Sequence, residues 1–80
     1  MARDYEAVRL HLARNIRELR GEQTTSQEQL ALAAGLDRSY VSQIERAQGN
    51  PSLQVLCKLA DVLQVDVNAL LVDPRRTRRS

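Results

Sequence analysis

Eighty residues with a single cysteine, Cys57, make one small domain near the lower size limit for an apolar core, and they exclude an internal disulfide or a Cys-rich zinc site. No apolar run approaches the roughly 20 residues that span a bilayer, and acids interrupt MARDYEAVRL where a signal peptide needs an apolar core, so a cytoplasmic protein is expected. Residues 1–73 carry eight Lys and Arg against all ten acids while PRRTRRS adds four arginines, which excludes a globally basic nucleic-acid binder and leaves only a local anion-binding surface.

With no Phe or Trp, the core must be built from Leu, Val, Ile and Ala, which suits closely packed helices, and nothing reads as a strand pair. Val8, Leu12, Ile16 and Leu19 recur at helical spacing, which predicts a first helix from about residue 5 to Arg20, ended by Gly21 and EQTT. Ser26 followed by Gln29 has the form of a capping box, so a second helix follows Ser26 and reaches about Ala34. Gly35 can take the left-handed conformation that ends a helix, and Asp37 can cap a third helix from about Arg38 to Ala47. GNPS is the next break, with Ser52 the cap of a fourth helix through Leu53, Leu56, Leu59, Ala60 and Leu63. Asp66 can cap a short fifth helix, VNALL, before Pro74 and the arginines. The expectation is an all-α, compact five-helix domain over residues 1–73 and an Arg-rich, disordered tail over 74–80.

The step AAGLDRSYVSQIER joins the second and third helices tightly. Two helices linked by a turn of about three or four residues containing Gly cross at a wide angle, the helix-turn-helix geometry. Such a crossing needs a small residue at the closest approach, which Ala31 supplies. Gly35 takes the turn, and Leu30, Leu36, Val41 and Ile44 are spaced to fill the core beneath it.

IRELR, SQEQLALAAGLDRSYVSQIER, NPSLQVLCKLADVLQV and NALL together resemble the phage repressor and Cro-like helix-turn-helix family, also called XRE, over roughly residues 12–71. The resemblance implies a lambda-repressor-like DNA-binding domain whose second motif helix lies in the major groove. It implies that Gln27 binds a phosphate, that Arg38, Ser39, Ser42 and Gln43 fall at base-edge and groove positions, and that Arg46 lies near the DNA backbone. It further implies an ion pair between Arg20, at the end of the first helix, and Glu45, at the end of the third. Two positions depart from the family pattern. Thr24 and Ala47 stand where the family commonly has Gly, and Gly49 offers to move the later turn by two residues.

The same face can be judged on its chemistry. Residues 38, 42 and 46 share a helical stripe with 39 and 43 beside it, opposite Val41 and Ile44. Arg pairs with guanine O6 and N7, Gln with adenine N6 and N7, and short Ser side chains let a backbone approach. A merely solvated helix face is the ordinary reading of such a stripe, and the helix-turn-helix frame reverses it. Tyr40 either packs on the second helix or points its hydroxyl at a phosphate. His11 has no catalytic companion, Cys57 is a core or near-core residue, and Glu28 and Asp61 lack a carboxylate partner. No enzyme activity, metal or cofactor is therefore expected.

One recognition helix reads too few base pairs for useful specificity, so a homodimer on double-stranded, pseudo-palindromic DNA is expected. Val65, Val67, Leu70, Leu71 and Val72 are more apolar than an end segment can bury within its own chain, which predicts a dimer interface there. The competing class is a protein-interaction module, an antitoxin or adaptor, which an acidic or apolar third helix would have favoured. No residues remain for a ligand-sensing domain, so no small-molecule effector is expected. That size resembles Cro-like repressors and restriction-modification controller proteins, the latter ranked ahead on length. The tail arginines either attract phosphates or only solubilise.

Overall fold

The computed structural model describes residues 4–77. Helix α1 spans Tyr5–Glu22, α2 Gln27–Ala34, α3 Arg38–Glu45, α4 Leu53–Leu63, α5 Val67–Leu71 and α6 Pro74–Thr77, and there is no strand among the described residues. Asp4 caps α1, its carboxylate accepting the Glu6 amide hydrogen at 3.3 Å. The capping box on α2 is complete: Ser26 Oγ accepts the Gln29 N–H at 3.0 Å and Gln29 Oε1 accepts the Ser26 N–H at 2.9 Å. Ser52 Oγ likewise accepts the Val55 N–H at 3.1 Å at the start of α4. Asp37 and Asp66 occupy the cap positions of α3 and α5, but neither side chain makes the expected cap bond.

Four helices end in the same way, on one left-handed residue followed by a backbone bond reaching back five positions. Those residues are Thr24 (φ 54°), Gly35 (φ 71°), Ala47 (φ 58°) and Gln64 (φ 61°). The closing bonds are Thr25 N–H to Arg20 O at 2.9 Å, Leu36 to Ala31 at 2.8 Å, Gln48 to Gln43 at 2.9 Å and Val65 to Ala60 at 3.0 Å. This motif corrects two expectations. Helix α1 runs through Gly21, because the left-handed residue is Thr24; α3 stops at Glu45, because Ala47 is already left-handed. Gly49 (φ 76°) does not replace that turn and adds a second left-handed residue after it.

The core takes Leu12, Ile16 and Leu19 from α1, Leu30, Ala31 and Ala34 from α2, and Val41 and Ile44 from α3. Helix α4 adds Leu56, Leu59, Ala60 and Leu63, and α5 adds Leu70. Each fully buried Leu, Ile or Val contributes about 1.5–3 kcal/mol of transfer free energy. Helix α1 packs on α3 and α5, and α2 on α3 and α4, so α3 is held from two sides. Leu36 and Tyr40 are partly buried against this core.

Three expectations fail here. Cys57 is exposed, because the buried face of α4 runs through Leu56, Leu59, Ala60 and Leu63 and residue 57 lies off that stripe. Leu70 is wholly buried within its own chain, so it belongs to the core and not to a dimer face. The tail does not begin as disorder. Pro74 opens α6, which suits proline's fixed φ and missing N–H, and Asp73 caps it by accepting the Arg75 amide hydrogen at 3.0 Å. Residues 78–80, the rest of the expected disordered tail, lie outside the described residues. Asn15 is buried in the middle of α1 and donates from Nδ2 to Leu70 O at 2.9 Å and Val72 O at 2.8 Å, while its Oδ1 has no partner.

Candidate nucleic-acid interface

The second motif helix, α3, is fixed by one buried acid. Glu45 is only 3 % exposed, and a lone buried carboxylate is costly unless paired and hydrogen-bonded. Arg20 supplies the pair in two-pronged form, Nε to Oε2 at 2.6 Å and Nη2 to Oε1 at 2.9 Å. The third Arg20 nitrogen, Nη1, donates to Thr25 O at 2.8 Å, in the turn that ends α1. Arg17 Nη1 donates to the Glu45 carbonyl at 2.9 Å, and Gln27 Nε2 to Glu45 Oε1 at 2.9 Å. Burial pushes the Glu45 carboxyl up, yet the hydrogen bonds from Arg20 and Gln27 and the charges of Arg20 and Arg17 outweigh it, so its pKa ends below the usual glutamate range. The same bond to Glu45 raises the Arg20 pKa against the opposing effect of burial.

Gln27 links this buried network to the outer face. With Nε2 turned to Glu45, its Oε1 accepts from Arg38 Nη1 at 3.4 Å. An amide nitrogen carries two hydrogens, so Gln27 still has one to offer a phosphate. Arg38, Ser39, Gln43 and Arg46 are exposed and Ser42 is half-buried, while Val41, Ile44 and Glu45 point inward. Arg46 donates from Nη1 to Ser42 Oγ, one turn earlier, and from Nη2 to Gln48 Oε1 at 3.3 Å. The outer face of α3 is thus a row of donors and short hydroxyls, and the one acid on the helix is neutralised behind it.

The sequence-predicted residues therefore divide. Arg20, Glu45, Gln27 and Arg38 form one connected chain of contacts, and Ser42 with Arg46 a second. Ser39 and Gln43 share their face without joining either. Arg17 and Thr25 were missed, because one donates to a backbone carbonyl and the other accepts through one, and a carbonyl has no sequence signature. Of the predicted dimer residues, Val65, Val67, Leu71 and Val72 are partly exposed, and Val65 and Val72 line an open groove with Ala60 and Ala69. Among the described residues no His, Cys, Asp and Glu group is placed to hold a metal, and no helix is long and apolar enough to cross a membrane.

The sequence profile of the helix-turn-helix family matches residues 16–70, which takes in the capped α2, the Gly35 turn, α3 and its buried Glu45. The chain belongs to the phage repressor and Cro-like (XRE) family of DNA-binding transcription regulators. Over 72 residues it is 42% identical to the Neisseria hypothetical transcription factor of Neisseria meningitidis serogroup B, covering 90% of this chain and 68% of that protein. The crystal structure of that factor superposes with a TM-score of 0.84 over 90% of this chain and 81% of the other. The restriction-modification controller protein C.AhdI from Aeromonas hydrophila superposes with a TM-score of 0.75 at 44% identity, over 78% of this chain and 94% of that one. SinR, the master regulator for biofilm formation, solved in complex with DNA, gives a TM-score of 0.72 at 44% identity over 76% and 98% of the two chains. These XRE relatives are named as regulators and controllers, not as enzymes.

Proposed function

We propose that this XRE protein acts in the cytoplasm as a homodimer on a pseudo-palindromic operator, with α3 of each copy in the major groove. Arg38, Ser39, Ser42 and Gln43 face base edges, and Gln27, Tyr40 and Arg46 meet phosphates. The observation that carries this is the outer face of α3, where arginines stand at both ends and Glu45, its one acid, is turned inward and bound by Arg20 and Gln27. That arrangement leaves the face positive without making the domain basic. Partly exposed Val65, Val67, Leu71 and Val72 supply the contact between copies, and Leu70 does not. The function needs neither a cofactor nor catalysis, and the likeness to C.AhdI supports a controller-type regulator.

Selection of bound sequences from a random duplex pool tests the reading. An inverted repeat with half-sites about one helical turn apart is expected. Recovery of no preferred sequence, together with salt-insensitive retention on random duplex, would sink it and favour a protein-binding module. Sedimentation at micromolar concentration tests the assembly, and a monomeric chain there removes the dimer.

A further inference from the structure

The carbonyl of Gly49, in the loop after α3, accepts two donors from the first turns of α1. The Tyr5 hydroxyl reaches it at 3.4 Å and Arg9 Nη1 at 3.3 Å. Those donors are themselves held: the Arg9 guanidinium lies 5.1 Å from the centre of the Tyr5 ring, and its Nη2 pairs with Glu6 Oε1 at 2.7 Å. Two aligned groups on a continuous helix thus grip one peptide 40 and 44 residues away in the chain.

Gly49 also lies near the outer face of α3: a Cβ built on it would stand 3.9 Å from Gln43 Oε1, which places the loop backbone close to the Gln43 side-chain amide. The main chain closes on the same residue, because the Gln48 N–H donates to Gln43 O at 2.9 Å. Gln43 is otherwise exposed, with a long side chain that would sample several rotamers. An amide that reads adenine must present its donor and acceptor in one plane, and a pivoting amide loses that discrimination.

We propose that Tyr5 and Arg9 are positioning residues for base recognition: by fixing the Gly49 peptide they fix the wall against which Gln43 sets its amide. The proposal rests on the reading of α3 as the base-reading helix. It makes the amino-terminal turns of α1 a determinant of sequence preference, although they carry no base contact of their own.

The test compares relative affinities for operators carrying each base at each position, at constant salt, for the full chain, Gln43→Ala, Tyr5→Phe, and Tyr5→Phe with Arg9→Ala. Thermal unfolding confirms that each variant is folded at the assay temperature, and Tyr5→Phe, which removes one oxygen, serves if the double variant is not. In the double variant the preference at the base pair read by Gln43 should fall by about threefold or more, out of the about 5- to 150-fold that one bidentate contact supplies. The preference at the base pair read by Arg38 should stay, and in a Gln43→Ala background the Tyr5 and Arg9 substitutions should remove little more at the first position. Equal weakening on all sequences, or an unchanged profile, overturns the proposal. If Gln43→Ala removes a preference and the double variant does not, the proposal alone falls. If Gln43→Ala leaves every preference intact, the base-reading assignment falls and takes the proposal with it.

Discussion

The two halves of the chain are held together by different means. From α1 to α3 polar crossings are laid over the apolar core: Arg17, Arg20 and Gln27 all end on Glu45, and Tyr5 and Arg9 on Gly49. From α4 to α6 the crossings are mainly apolar, through Leu56, Leu59, Leu63 and Leu70, with valines left partly exposed beside them. Apolar contact fixes how closely two helices approach and tolerates rotation, whereas a hydrogen bond has direction and fixes which residues face outward. A helix that presents a reading face needs its rotation set. An apolar face that meets a second copy, as proposed for these valines, needs only apolar area.

The harshest way to break that comparison is to put a charge where the apolar half is closed. Leu70→Glu buries a carboxylate with no cation provided for it and should destabilise by about 4 kcal/mol or more, unfolding the chain. Val72→Glu, on the partly exposed edge of the groove, should leave a folded protein that sediments as a monomer. Circular dichroism and sedimentation on the two variants separate core from interface, and a folded Leu70→Glu protein would erase the distinction.

The polar half should fail next. Glu45→Ala strands Arg20 and Gln27 and should cost about 2 to 4 kcal/mol, against under about 1 kcal/mol for an exposed pair. Denaturation midpoints of Glu45→Ala and Arg20→Ala that match the parent would remove the pair. The Glu45 pKa is lowered by folding, so the unfolded chain takes up this proton first as pH falls. The pair's stabilisation is therefore complete above the unfolded glutamate pKa and is lost as pH drops through the lower folded value. Glu45→Gln should lack that part of the acid dependence, which a stability profile below neutral pH will show.

Function gives a finer cut. Arg38→Ala should lose about 1 to 3 kcal/mol on the preferred operator, relax one base position in each half-site, and leave random DNA nearly unaffected. Uniform loss on all sequences would make Arg38 a phosphate contact and move the reading face toward Ser42 and Gln43.

The smallest effect has the opposite sign. Ala47 and Thr24 hold left-handed conformations that cost an L-residue about 1–2 kcal/mol, partly offset because glycine loses more backbone entropy on folding. Ala47→Gly should then raise stability by up to about 1 kcal/mol, read as a later denaturation midpoint. A loss would mean that the Ala47 methyl contributes packing worth more than the strain.

Where a signal is local, the sequence carries it. The capping box at Ser26, the cap at Ser52 and the Gly35 turn each lie within a few residues, and all stand where they are expected. The Arg20–Glu45 pair was legible only through the family resemblance, since 25 residues separate the partners. Leu70 was misjudged because a five-residue helix is too short for periodicity to separate one buried position from its apolar neighbours. Tyr5, Arg9 and Arg17 escaped because their partners are carbonyls, which every residue owns. Ala47 and Thr24 show the reverse: backbone geometry is kept at these two positions although the residues that suit it best are absent.

Asn15 carries a last consequence. Helix α5 has five residues, and a helix that short is unstable alone in water and would be expected to fray. Its final carbonyls are instead held by a buried amide from the centre of α1, and its one buried side chain is in the core. Opening α5 therefore means breaking into α1, so the two should open as one cooperative unit. Under native-state hydrogen exchange, the slow amides of this short helix should then share the opening free energy of the middle of α1, and Asn15→Ala should release them to exchange through local fraying.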